Sequence, residues 1–81
     1  PDWSDPLVHD SHLKWQNASD GDCVIEVCNL AGKVLYKAST TGEQARAYGI
    51  ALPSSIRSSD LLLIRVHQHG EQKSFKVFGG G

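Results

Sequence analysis

The sequence is short of several features that define large functional classes. It has no methionine, and its longest unbroken apolar run, Leu61–Ile64, is far below the roughly 20 residues that a membrane-spanning helix needs. The sequence has eight basic and nine acidic residues, and the two kinds are interspersed along the chain. A nucleic-acid-binding protein would show a basic stripe for the phosphates. The sequence therefore predicts no membrane span, no nucleic-acid partner and no anionic membrane surface as partner.

Catalytic and metal-binding patterns are also missing. The serines are numerous, but none stands in a Gly-x-Ser-x-Gly nucleophile elbow. The His67-x-His69 pair could place two imidazoles on one side of a strand, whereas zinc sites need three or four ligands. Asp20 and Asp22 are too few for a calcium loop, and they stand in a dense turn. We therefore expect no enzyme activity, no cofactor and no metal site.

The two cysteines, Cys23 and Cys28, frame a strand pattern. Residues five apart on a strand point to opposite faces, and their Cα atoms are then roughly 16 Å apart. A disulfide requires a separation below about 7 Å. We predict two free thiols, with Cys23 buried.

With 81 residues, the chain has room for one domain. Strand signals recur every eight to twelve residues with turn signals between them, which is typical of a sandwich or barrel. We predict a small, all-β, antiparallel Ig-like β-sandwich of six to seven strands over residues 1–78. Residues 79–81 are predicted to be a flexible Gly tail. The chain, which begins at Pro1 without a leader, is interpreted as part of a larger multidomain protein.

Alternating apolar and polar residues predict five strands, at His12–Gln16, Cys23–Cys28, Val34–Lys37, Leu61–His67 and Gln72–Phe78. The strand at Leu61–His67 is apolar on both faces at its start, which predicts a central position in its sheet. Gln44–Leu52 is a weaker pattern, interpreted as an edge strand followed by a loop. Pro53–Ile56 predicts a tight turn whose Ile56 fills the core. Inward-facing positions are predicted at Cys23, Ile25, Val27, Leu62, Ile64, Val66, Phe75 and Val77.

The order of these features resembles the C-terminal sorting domains of the type IX secretion system. The sharpest match is the apolar strand followed by Asn29-Leu30-Ala31-Gly32-Lys33 and a second apolar strand, which corresponds to the family's signature hairpin. The central strand around Leu62–Ile64 and the lysine-rich closing strand at Gln72–Val77 follow in the family's order. The opening segment Trp3–Leu7 lies where the family has Tyr-Pro-Asn-Pro.

The resemblance implies a role as well as a fold. In that family the domain is an Ig-like sandwich at the end of secreted hydrolases and adhesins of certain Gram-negative bacteria. It is recognised by secretion machinery proteins at the outer membrane and is often cleaved as the passenger protein is attached to the cell surface. Carried over to this chain, the implied localisation is secreted or outer-membrane surface. Recognition is expected to involve Lys73, Lys76 and Phe78 on the last strand, with Gly32 and Lys33 in the hairpin.

A second interpretation comes from the aromatic residues. A carbohydrate-binding or adhesion module of a secreted glycoside hydrolase would stack sugar rings on exposed aromatics in one plane. Trp3, Trp15 and Tyr48 are the candidates for such a platform, and polysaccharide would then be the partner. A plain spacer domain is a third interpretation. The sequence leaves these alternatives open.

Overall fold

The computed structural model describes residues 3–4, 6–56 and 61–78. Within these ranges the chain forms seven strands in two antiparallel sheets and one short helix. The predicted all-β sandwich is therefore confirmed. The elements are β1 (Leu7–His9), β2 (His12–Lys14), β3 (Asp22–Cys28), β4 (Val34–Thr41), α1 (Gly42–Ala47), β5 (Ile50–Ala51), β6 (Leu61–Gln68) and β7 (Glu71–Phe78).

The larger sheet has the strand order β4-β3-β6-β7, and the smaller one has the order β1-β2-β5. Strand β6 lies between β3 and β7, as its two apolar faces predict. Three alternate residues of β6 turn to the core with at most 2% exposure: Leu62, Ile64 and Val66. Their partners across the sheet on β3, Ile25 and Val27, are also fully buried. Period-two burial thus defines one inward face for this sheet.

The interior between the two sheets is filled by aliphatic side chains and both tryptophans. Leu13 of β2 is fully buried and packs with the inward residues of the larger sheet. Trp3 and Trp15 meet edge to face, with ring centroids 4.9 Å apart and an angle of 86° between the planes. Phe75 and Val77 of β7 are partly buried against the same cluster, as predicted. One shared core therefore joins the two sheets.

Four local elements differ from the sequence prediction. Strand β4, predicted at Val34–Lys37, continues to Thr41. Leu7–His9 forms a strand that the sequence did not indicate, since it exists through its pairing with β2. Strand β2, predicted at His12–Gln16, ends at Lys14. The largest correction concerns residues 42–47, which form α1, although Gln44–Leu52 was interpreted as an edge strand followed by a loop, after a turn expected at Thr40–Glu43. Helix α1 begins because the hydroxyl of Thr41 accepts a hydrogen bond from the backbone N–H of Gln44 at 3.2 Å.

The predicted turns at Gly32 and at Pro53–Ile56 and the predicted free thiols are confirmed. Gly32 has a φ of +88°, and the N–H of Ile56 donates to the carbonyl of Pro53 at 3.0 Å. Ile56 is half-buried against the core. Cys23 and Cys28 are free and buried, and burial raises the pKa of the Cys23 thiol. The predicted Gly tail at residues 79–81 lies outside the described residues, as do Pro1, Asp2 and Asp5 of the lead-in. The described helix is too short to cross a membrane.

Gln68 connects the N-terminal segment to the loop before β3. Its amide oxygen accepts a hydrogen bond from Trp3 Nε1 at 3.0 Å. Its amide nitrogen donates to the carbonyls of Ser19 at 2.8 Å and Gly21 at 3.1 Å. One side chain thus satisfies a buried indole and orders the approach to β3.

Replacing Gln68 with alanine is expected to lower the free energy of unfolding by about 1–3 kcal/mol, because it leaves the buried N–H of Trp3 without this acceptor. Urea unfolding followed by tryptophan fluorescence measures the loss. Gln72→Ala is the matched control, since Gln72 is exposed on the adjacent strand. Equal stability of the two variants would contradict the assigned role of Gln68.

Candidate recognition surface

The hairpin between β3 and β4 has the geometry that its sequence pattern predicts. The N–H of Gly32 donates to the carbonyl of Asn29 at 3.0 Å, which closes a four-residue turn. The Asn29 side-chain oxygen accepts the backbone N–H of Lys33 at 2.9 Å, and the N–H of Asn29 donates to the carbonyl of Lys33 at 3.0 Å. A Cβ on Gly32 would meet no atom within 4 Å, so glycine is needed here for its positive φ rather than for space. Lys33 is exposed beside it.

The last strand, β7, forms one edge of the larger sheet. Lys73 is half-buried on the core side, where it lies opposite Val66. Lys76 and Phe78 lie on the outer side, and Phe78 is 63% exposed. The structure thus places two of the three predicted recognition residues of β7 on one exposed surface and the third on the opposite side.

The outward edge of β7 carries backbone groups that β6 does not use. Strands β6 and β7 are joined by the two-residue loop His69-Gly70, in which both φ angles are positive, as in a type I′ turn. The residues that flank such a loop, here Gln68 and Glu71, form a hydrogen-bonded pair. Along the ladder, hydrogen-bonded pairs alternate with pairs whose N–H and C=O groups point away from each other. The N–H and C=O groups that point away from β6 therefore belong to Gln72, Ser74, Lys76 and Phe78.

An apolar stripe crosses the outer face of the larger sheet at the hairpin end. It consists of Val34, Cys28, Leu63, Leu61 and Phe78. Val34 pairs with Cys28 and Cys28 with Leu63, whereas Leu61, two residues before Leu63 on β6, pairs with Phe78. Cys28 is fully buried beneath its neighbours, whereas Val34 is 40% exposed. Leu61 and Leu63 are half-buried, so the exposed apolar surface of the stripe lies at its two ends, at Val34 and at Phe78. The stripe reaches the outward edge of β7 at Phe78.

A charged cluster borders the apolar stripe on the same face. Glu26 Oε1 lies 2.8 Å from His67 Nε2 and 3.4 Å from Arg65 Nε, so one carboxylate interacts with two neighbouring side chains. Arg65 Nη2 lies 3.1 Å from the sulfur of Cys28. The hydrogen bond from His67, together with the charges of Arg65 and Lys37, holds the pKa of Glu26 below its ordinary value. The carboxylate of Glu26 is therefore held by a histidine and an arginine on this face.

Acidification is expected to weaken the fold partly through Glu26. A lowered folded-state pKa means that the ionised carboxylate stabilises the native state above the ordinary value of 4.5, and that this stabilisation is lost as the pH falls through the lowered value. Between about pH 5 and pH 3 we expect the unfolding free energy of Glu26→Gln to fall less steeply than that of the unmodified protein. Denaturant unfolding at several pH values checks this, with Glu71→Gln, which removes an exposed carboxylate on β7, as control. Indistinguishable slopes for Glu26→Gln and Glu71→Gln would contradict it.

The two histidines do not converge on a common point. His67 contacts Glu26, whereas His69 Nε2 lies 3.1 Å from the backbone carbonyl of Asp20. No group of three metal-ligating side chains occurs in the part of the chain that the structure describes. An open depression of about 890 Å³ lies beside them, at the β6–β7 hairpin. Polar side chains including Ser39 and Gln72 line it, and its wide mouth leaves it continuous with the surface.

The aromatic residues proposed as a sugar platform are not in one exposed plane. Trp3 and Trp15 are 7% and 2% exposed, and they pack on each other in the core. Tyr48, after α1, is 75% exposed. The expectation of a flat platform built from Trp3, Trp15 and Tyr48 is therefore corrected, because burial of the two indoles contributes to the small core instead.

Sequence reasoning missed the apolar stripe and the Glu26 cluster. Both sets share the outer face only because β3 and β6 pair in the observed register. Glu26 and Cys28 are two residues apart on β3, and Leu63, Arg65 and His67 alternate along β6, so the residues of each strand share one face. This alternation identifies the surface only once the pairing of the two strands is known. Comparison with families, curated proteins and solved structures found no match to this chain.

Proposed function

We propose that this chain is a non-catalytic C-terminal sorting and surface-attachment domain of the type IX secretion kind, carried by a secreted protein of a Gram-negative bacterium. Its task is recognition by secretion machinery proteins, and the fold presents the surface that they contact. The proposal rests on the family resemblance of the sequence and on the geometry of two segments that carry it.

The observation that carries the proposal furthest is the position of the last strand. Strand β7 is an edge of the larger sheet, and its outward-pointing residues include Lys76 and the exposed Phe78. A terminal strand with unpaired backbone groups offers a partner both hydrogen bonds and side chains. A signal that must be recognised on a folded protein needs such an accessible segment.

The β3–β4 hairpin supports the same proposal. Its Asn29-to-Lys33 hydrogen bonds fix the loop, and Gly32 supplies the positive φ. Lys33 is exposed at the end of the hairpin, at the same end of the sheet as Phe78, because Cys28 and Leu61 both lie at the ends of their paired strands. Lys33, Lys76 and Phe78 therefore belong to one end of the molecule.

The carbohydrate-binding alternative loses its main support. Stacking on sugar rings requires exposed aromatic faces, and two of its three candidate residues are buried. The remaining one, Tyr48, offers a single exposed ring, whereas a platform needs several rings in one plane. We therefore favour recognition by protein over recognition by polysaccharide.

An export assay tests the proposal. A reporter protein is fused to the N-terminus of the full chain and expressed in a bacterium that has type IX machinery. We expect the fusion at the cell surface, and we expect the double substitution Lys76→Glu with Phe78→Ser to retain it in the periplasm. Lys14→Glu with Tyr48→Ser is the matched control, since both residues are exposed and lie away from β7.

Circular dichroism of the purified variants shows whether they are folded. Surface display that persists in the folded β7 double variant would overturn the role of β7. Failure of the unmodified fusion to leave the periplasm would overturn the sorting function itself.

A further inference from the structure

We propose that the outward edge of β7 binds an extended segment of a partner protein in which a carboxylate stands two residues from a large apolar side chain. The segment would add as a fifth strand to the larger sheet and lay its side chains on the apolar stripe. This inference rests on the proposed function, since it names the chemistry of the segment that would recognise the domain.

The first step is the hydrogen-bonding capacity of the edge. Four residues of β7 direct their N–H and C=O groups away from β6, namely Gln72, Ser74, Lys76 and Phe78. No backbone partner for these groups occurs among the described residues. The strand is eight residues long, which exceeds the short lengths that protect many natural edges. An extended segment could therefore form several main-chain hydrogen bonds with it.

The second step is side-chain direction. The same four residues point their side chains to the outer face, because Lys73, Phe75 and Val77 point to the core side. A partner residue directly opposite Phe78 would therefore stand beside the apolar stripe, next to Leu61. Cross-strand apolar pairs of this kind stabilise sheets. This position favours a large apolar residue in the partner.

The third step is charge. Lys76 is exposed, and Lys33 is exposed at the same end of the sheet. Across the strands Lys76 lies opposite Leu63, and the next outer-face residue in that row is Cys28, so this row has no carboxylate. Glu26, in the neighbouring row, is already bound by Arg65 and His67. A carboxylate opposite Lys76 would therefore find a cation without a competing acid among the described residues of its row.

These positions fix the spacing in the partner. Positions opposite Lys76 and Phe78 are two residues apart on any added strand, whether it runs parallel or antiparallel. A second copy of the chain that paired through one of its described edge strands does not fit this requirement, because neither the outward residues of β7 nor β4, β1 and β5 include an acidic residue. The occupant is therefore a different protein segment, with an acidic and an apolar residue in i, i+2 positions.

The test uses the folded, ¹⁵N-labelled chain and two synthetic twelve-residue peptides. In the first peptide, glutamate and leucine occupy alternate outward positions between threonines, and in the second lysine replaces glutamate. We expect saturable shifts of the amide signals of Gln72, Ser74, Lys76 and Phe78 with the glutamate peptide. We expect at least tenfold weaker binding of the lysine peptide.

Two variants separate charge from backbone pairing. Lys76→Glu is expected to reverse the preference between the peptides, whereas Lys14→Glu on the smaller sheet leaves it unchanged. Ser74→Pro removes one outward N–H without touching the bonds to β6, and it should weaken binding at least fivefold, whereas Ser74→Thr should not. If Ser74→Pro does not fold, the Lys76→Glu reversal still decides the question.

Several outcomes would overturn the inference. The first is the absence of saturable shifts on β7, and the second is equal binding of the two peptides. A third is a concentration-dependent shift without peptide, which would identify a second copy as the occupant. The export assay is independent of these results. Peptide binding without export would refute the sorting function alone, and export without peptide binding would refute the edge-docking inference alone.

Discussion

Gly42→Ala is expected to destabilise the protein by about 3 kcal/mol or more. A Cβ at this position would lie 1.7 Å from the carbonyl oxygen of Ser19 and 2.6 Å from its carbonyl carbon. Both are backbone atoms, which cannot rotate away as a side chain would. The N–H of Gly42 also donates to the carbonyl of Gly21 at 2.9 Å, so α1 cannot shift without losing this bond. Thermal or urea unfolding measures the effect.

Gly32→Ala is the control for this substitution. Its added Cβ meets no atom within 4 Å, and the cost comes only from a positive φ of 88°. We expect a loss of about 1–2 kcal/mol from this conformational strain. If Gly42→Ala proves no more destabilising than Gly32→Ala, the close packing of α1 on the loop at Ser19 is contradicted.

Ile64→Ala is expected to cost about 2–5 kcal/mol of unfolding free energy, because the side chain is fully buried at the centre of the core. A domain of 81 residues has a total stability of only about 4–12 kcal/mol. The substitution therefore removes a large fraction of the stability, and much of the purified variant could be unfolded at 37 °C. Equilibrium urea denaturation at 10 °C, where the folded baseline is longer, gives the value.

Leu63→Ala is the matched control for Ile64→Ala. The two residues are adjacent on β6, but Leu63 is half-buried on the outer face, opposite Lys76. We expect it to cost about half as much or less, because fewer contacts are lost. A Leu63→Ala loss as large as that of Ile64→Ala would mean that the outer face is covered as completely as the core.

The central strands were predictable from the sequence because their burial has a local period. Ile25 and Val27 on β3, and Leu62 and Ile64 on β6, alternate with more exposed residues, and this alternation depends only on strand geometry. The hairpin at Asn29 was predictable for a similar reason, since an asparagine and a glycine at fixed spacing specify a turn without tertiary contacts.

The missed elements have weak local signals or depend on contacts between distant residues. Helix α1 has six residues, which is too short for a helical period to stand out, and its start at Thr41 is also a turn signal. Strand β1 exists through the pairing of Val8 with Leu13. The burial of Trp3 depends on Gln68, 65 positions away. The β1–β2 hairpin was missed because its loop, Asp10-Ser11, adopts positive φ at two residues that are not glycine, whereas the Trp3–Gln68 contact cannot be identified from the local sequence.

For the candidate site, too, some features were predictable from the sequence and others required the structure. Lys33, Lys76 and Phe78 came from a resemblance to known sorting domains, and their placement at one end of the larger sheet follows from strand register. The apolar stripe and the charge cluster at Glu26 require the pairing of β3 with β6, which a single sequence does not specify. Residue types were therefore accessible from the sequence, whereas their juxtaposition was not.

Amide hydrogen exchange along β7, followed residue by residue by NMR, tests most directly whether the last strand is a free edge of a two-sheet sandwich. We expect slow exchange for Lys73, Phe75 and Val77, whose N–H groups bond to β6. Fast exchange is expected for Gln72, Ser74 and Lys76, whose N–H groups face outward. Uniform protection along the strand would show that its outer edge is already paired, and uniform fast exchange would show that β7 does not pair with β6 in this register.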